Sequence, residues 1–132
     1  MLRIMQYIGK RAPMYCTGIG KRLLNRTEDE VRAMMGQAEM KRYTSNTITT
    51  AEPLLKELAR ICSRGWATDD EECEMGARCV AAGIYDYTGR IIGGISVSGP
   101  TTRLTTDWIP KIATLVVEAG REISGRMGWH AS

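Results

Sequence analysis

Two strand-like runs, residues 77–87 and 90–98, separated by Thr88-Gly89, constrain the fold more than any other feature of this chain. A short glycine-containing break between two apolar runs predicts an antiparallel hairpin. With Thr88 and Gly89 as a two-residue turn, Tyr87 faces Arg90, Cys79 lies opposite Ser98, and Ala81 lies opposite Ser96. All four side chains then share one face, because side chains alternate along a strand. A four-residue loop keeps that parity, whereas a three-residue loop with a bulge at Gly89 moves Cys79 to the other face. The stretch "GISVSGP" (94–100) therefore admits two readings. Ser96 and Ser98 either face water, as one side of an antiparallel sheet often does, or line a small polar site with Cys79. The run of Ala81, Ala82, Gly83, Gly93 and Gly94 favours close approach of something to this face.

The other segments supply helices. "RIMQYI" (3–8) reads as a strand ending at Gly9. From Gly18 onward Ile19, Leu23 and Leu24 have the spacing of a short helix. Thr27 and Glu30 form a capping-box pair opening a helix with Val31, Met34 and Met35. Residues 43–50 are rich in cap and turn formers and read as a loop. A stronger helix follows, with Thr49 or Thr50 as cap, Pro53 in the first turn and Gly65 as the stop. Leu54, Leu55, Leu58, Ile61 and Cys62 make its apolar face. "TDDEEC" (68–73) reads as an acidic loop. The last helix starts near Thr105 or Thr106 and carries the stripe Ile109, Ile112, Ala113, Val116, Val117, Gly120, Ile123 and Met127, with Gly128 as its stop. The order predicts one α+β domain, with helices flanking an antiparallel sheet.

Composition removes several classes of function. The chain has 132 residues, 43% hydrophobic and 25% charged, which suits a globular domain. No apolar run approaches the roughly 20 residues that span a bilayer, so no membrane partner is expected. The opening "MLRIMQYIGKR" is too short and charged for a secretory signal, and a cytoplasmic location with reduced thiols is expected. Cys16, Cys62, Cys73 and Cys79 have no paired spacing and the one histidine is His130, so neither zinc nor any other metal site is expected. The net charge of +3 is scattered, and "GKRAPM" and "GKRLLNR" are short patches rather than a nucleic-acid stripe.

"TGIGK" (17–21) reads as a loop feeding a helix N-terminus, either a plain cap or a place where backbone N–H groups meet an anion. It is not a phosphate-binding P-loop, since Tyr15 stands where the first glycine belongs and Arg22 follows Lys21. Catalysis is not expected. "GISVSG" misses the nucleophile elbow because Ser98 holds the second glycine position, and Cys79 has no base partner. The run from Asp69 to Glu72 reads as a solvated loop rather than a carboxylate pair.

Three segments in order, "GKRAPMYCTGIGKRLL", "RGWATDDEECEMGARCVAAGIYDYTGRIIGGISVSGP" and "GREISGRMG", resemble the effector-binding domain of the IclR family of bacterial transcription regulators. The match runs from about Ile8 to Gly128, and "PMYCTGIGK" is most similar to members that regulate sugar-acid catabolism. The resemblance implies a GAF-like (profilin-like) fold that binds a small organic acid, without a cofactor, and reports it to a DNA-binding domain. It places the effector site on backbone groups of Gly18 and Ile19 and on Asp69, Cys79, Ser96 and Ser98. In that family a winged helix-turn-helix and further sensing-domain elements precede this region, so residues 1–132 read as a sensing domain incomplete at its N-terminal end. The implied partners are a keto acid or sugar acid, further copies in a homodimer or tetramer, and DNA only through the helix-turn-helix. The implied function is sensing within a repressor. The alternatives are a remnant acting only as an oligomerisation module, and a small thiol hydrolase built on Cys79.

Overall fold

The computed structural model describes residues 8–24 and 27–131. The described chain runs α1 (Gly18–Leu23), α2 (Glu28–Gln37), α3 (Ala51–Arg64), β1 (Trp66–Asp70), β2 (Ala77–Tyr85), β3 (Ile91–Pro100), a 3₁₀ turn (Thr106–Trp108) and α4 (Ile109–Arg126). The strand expected over 3–8 falls almost wholly outside the described residues, and Ile8 with Gly9 forms a turn. The three described strands form one antiparallel sheet in the order β1-β2-β3. The expected α+β class is therefore observed.

Alternation of side chains along β2 sorts the helices to opposite faces of the sheet. Val80 and Ala82 pack with Leu104, Ala113 and Val116, so α4 covers that face. Cys79 and Ala81 point the other way, beneath Gly18 of α1. A second apolar cluster of Tyr15, Cys16, Val31 and Leu54 lies where the segment leading into α1 meets α2 and α3.

The helix signals hold in their main points. Thr27 Oγ1 accepts the Glu30 N–H at 3.2 Å, and Val31 is fully buried. Gly65 ends α3 in the left-handed region at φ +84°, but Cys62 is exposed and only Leu54 and Ile61 are buried on that helix. In α4 the stripe is right through Gly120. At its end Met127 is exposed, and Ser124 takes the buried place by accepting the Tyr85 N–H at 2.9 Å and donating to the Gly120 carbonyl at 2.6 Å. α1 departs more. Leu24 is buried, but Ile19 and Leu23 are half-buried, and the charged Lys21 and Arg22 turn inward because each finds a polar partner.

Two expectations about the strands are corrected. Residues 68–70 are the end of β1 and not part of a loop, since Thr68, Asp69 and Asp70 pair with Val80, Cys79 and Arg78. The hairpin turn is not the two-residue Thr88-Gly89 turn. Asp86 donates its N–H to the Arg90 carbonyl at 2.9 Å, leaving the three-residue loop 87–89 with Gly89 at φ +85°. Asp86 Oδ1 stabilises this loop by accepting the N–H groups of Thr88 and Arg90 at 2.9 and 3.1 Å. That loop alone would have turned Cys79 to the other face. A register shift beyond Tyr85 and Ile91 leaves Ile92 as an extra residue on β3 and restores the parity.

Candidate functional site

The restored register produces two rows across the sheet. Asp69 on β1 lies opposite Cys79 on β2, which lies opposite Ser98 on β3. One step along, Ala67, Ala81 and Ser96 form the parallel row on the same face. Cys79, Ala81, Ser96 and Ser98 share a face as hairpin parity predicts, and β1 adds a carboxyl to the group. Small side chains let α1 settle directly onto these rows. A Cβ on Gly18 would stand 3.0 Å from Cys79 Sγ and 3.2 Å from the Ala81 Cβ. Gly94 likewise leaves room for Ile19, whose Cγ2 is 3.0 Å from where its Cβ would be.

Between α1 and the sheet lies a cavity of about 600 Å³. All six residues expected at the site line it: Gly18, Ile19, Asp69, Cys79, Ser96 and Ser98. Its wall is completed by Tyr43 from the loop 43–50 and by the exposed cations Lys10 and Arg11. The three were not singled out as site residues by sequence, since nothing in a loop's local pattern says which cavity it borders.

The polar groups of the floor are connected. Burial pushes the Cys79 thiol up from its ordinary value; hydrogen bonds with the Ser98 and Ser96 hydroxyls and the Gly18 N–H oppose this, and the neighbouring Asp69 adds to the rise. Such a thiol stays protonated, and serves as a weak hydrogen-bonding group rather than a nucleophile. Burial also lifts Asp69 to about 6, aided by the nearby Glu72 carboxylate and opposed by the Glu72 N–H, Lys21 and the Cys73 N–H. The Glu72 N–H reaches Asp69 Oδ1 at 2.8 Å. Burial raises the Cys16 and Cys73 thiols too.

Two further buried residues escaped the sequence reading. Lys21 Nζ sits 2.8 and 3.0 Å from the two oxygens of Glu72, and the residues are 1% and 7% exposed. Lys21 thus points into the protein, and the "TGIGK" turn is capped internally: Thr17 Oγ1 accepts the Gly20 N–H at 3.1 Å. Among the described residues no cluster of three or more His, Cys, Asp or Glu could hold a metal ion, and no helix is long and apolar enough to cross a membrane.

Comparison with known proteins agrees with this architecture. The family described as bacterial transcriptional regulator IclR C-terminal matches residues 1–125. The chain is similar to the HTH-type transcriptional regulator KdgR of Escherichia coli (strain K12), with 41% identity over 98% of this chain and 49% of that protein. It is also similar to the HTH-type transcriptional repressor AllR of Salmonella typhi, with 36% identity over 97% of this chain and 47% of that protein. The chain spans about half the length of these curated relatives. Among solved structures, the C-terminal domain of E. coli KdgR superposes with a TM-score of 0.84 at 41% identity, covering 92% of this chain and 75% of that one. These relatives are transcriptional regulators and not enzymes, which leaves no support for the thiol hydrolase alternative. The chain belongs to the IclR family of bacterial transcriptional regulators, as its C-terminal domain.

Proposed function

We propose that this chain is the effector-sensing domain of an IclR-type transcriptional repressor, and that the cavity between α1 and the sheet binds a small carboxylate, a keto acid or a sugar acid. The observation that carries this reading is the cross-strand row Asp69, Cys79, Ser98, closed over by Gly18 and lying in a cavity of about 600 Å³. The row offers a carboxyl, a thiol and a hydroxyl, with Ser96 beside it, to a ligand rich in oxygens. Lys10 and Arg11 at the cavity wall favour an anionic ligand electrostatically. Gly18 and Ile19 bring backbone groups of the first turn of α1 to the opposite wall. Asp69, already bonded to the Glu72 N–H, is placed to exchange hydrogen bonds with ligand hydroxyls.

A sensor regulates only through differential affinity for two states of the protein. In a full-length regulator those states would be conformations or assemblies, dimeric or tetrameric, that differ in how a helix-turn-helix meets DNA. Isothermal titration with glyoxylate, pyruvate and gluconate tests the site. At least one should bind, and Ser96→Ala and Ser98→Ala should each weaken it by about 5- to 30-fold, from the loss of about 1–2 kcal/mol per hydrogen bond. Binding unchanged in both variants rejects the site.

A further inference from the structure

Lys21 and Glu72 make a buried ion pair that touches both walls of the cavity, yet neither side chain lines it. Lys21 stands on α1, one turn after Gly18 and two residues after Ile19, the residues that form one wall. Glu72 stands in the turn after β1, and its N–H holds Asp69 on the other wall at 2.8 Å. Its Oε2 also accepts the Asp70 N–H at 2.9 Å, and its carbonyl accepts the Thr47 hydroxyl at 2.6 Å. The turn is bent through Glu71 at φ +56°, the one non-glycine residue with positive φ among the described residues. A strained backbone of this kind persists where its surroundings over-determine it, and such positions gather at functional sites.

We propose that the Lys21–Glu72 pair is a positioning device: it fixes the α1 wall of the cavity relative to Asp69 and so sets the span that an effector must bridge. This rests on the reading of the cavity as the effector site. Stability by itself is a poor reason for the pair, because a buried ion pair gains little over apolar residues of similar volume. Its geometry is what an apolar pair could not reproduce, since the carboxylate that meets Lys21 also caps the Asp70 N–H next to the held carboxyl. The pair also acts on Asp69 electrostatically. Around Asp69 stand Lys21 from α1, Cys16 before it, Glu72 and Cys73 from the turn, and Cys79 from β2. Across the cavity are Lys10 and Arg11, with Glu74 and Arg78 beside the turn.

The test uses the whole chain and two variants, Lys21→Met/Glu72→Leu, which removes both charges together, and Glu72→Gln, which keeps the shape. Amide hydrogen exchange should show protection of the backbone N–H at position 72 falling at least tenfold in the double variant relative to the Val80 N–H of the central strand. In Glu72→Gln the Asp69 carboxyl, followed by carbon NMR, should titrate at lower pH than in wild type, because a carboxylate that raised it is gone while Lys21 remains. A uniform loss of protection, with the Asp69 titration unmoved in Glu72→Gln, assigns the pair to stability alone and overturns the proposal. Should the double variant fail to fold, exchange of the backbone N–H at position 72 in Glu72→Gln, read against the Val80 N–H, decides. Titration with glyoxylate, pyruvate and gluconate separates the two readings: wild-type protein that binds none of them counts against the effector site, while the exchange and NMR results still decide the positioning role.

Discussion

Asp69 is 9% exposed, and its carboxyl is lifted by burial to about 6, against roughly 3.9 for an aspartate in an unfolded chain. Between roughly pH 4 and pH 6 the folded protein therefore holds a proton that the unfolded chain has released. The contribution of Asp69 to stability is full below pH 4, falls as pH rises through that window, and is level above it. Asp69→Asn removes this titration. Urea unfolding from pH 4 to pH 7 should show the variant gaining stability relative to wild type as pH rises to about 6; parallel profiles would mean Asp69 titrates normally. In the sequence, Cys79, Ser96 and Ser98 are legible from hairpin parity, and Asp69 only from family resemblance, because the acidic run 68–73 has the local pattern of a loop. Lys21 and Glu72 left no local trace, for their contact spans 51 residues of chain.

At the level of elements, the periodic signals were legible where one helix packs on one face. α3 and α4 stand close to where their apolar spacing puts them. The errors fall where a polar group finds a distant partner, as with Ser124 replacing Met127 at the buried end of α4. Two glycines of α4 show how packing overrides propensity. A Cβ on Gly120 would lie 2.7 Å from the Gly83 carbonyl oxygen, whereas Gly125 has nothing within 4 Å. Alanine is favoured in a helix by about 1 kcal/mol at either position. Gly120→Ala should nonetheless destabilise by about 1–2 kcal/mol as α4 is pushed off β2, and Gly125→Ala should stabilise by up to about 1 kcal/mol, both read from thermal or urea unfolding. The hairpin carries the same lesson. Its register was right although its turn was wrong, because the extra residue Ile92 cancels the parity change of the three-residue loop.

At the scale of the molecule, β3 is, among the described residues, a strand edge open to a second chain. It runs from Ile91 to Pro100 with no charged residue, pairs on one side with β2, and has no strand on its other side among the described residues. Val97, 41% exposed, and Trp108, 52% exposed, border a groove along that edge. An uncharged edge of this length favours association, the observation that supports the oligomerisation alternative. Sedimentation velocity should show concentration-dependent association that Val97→Lys weakens at least tenfold, and that effector binding either shifts or leaves alone. A wild-type chain that stays monomeric across the range sinks that expectation. What the sequence determined by itself was local: the hairpin and its paired serines, two amphipathic helices, a capped helix start, and a face of small residues awaiting close approach. What the tertiary structure decided was long-range. It brought β1 beside β2 so that Asp69 joined the row, and it buried Lys21 because Glu72 was there to meet it. Periodicity records how a segment meets its own neighbours; a buried charge is stable only with its partner in place, and that partner is chosen by the fold.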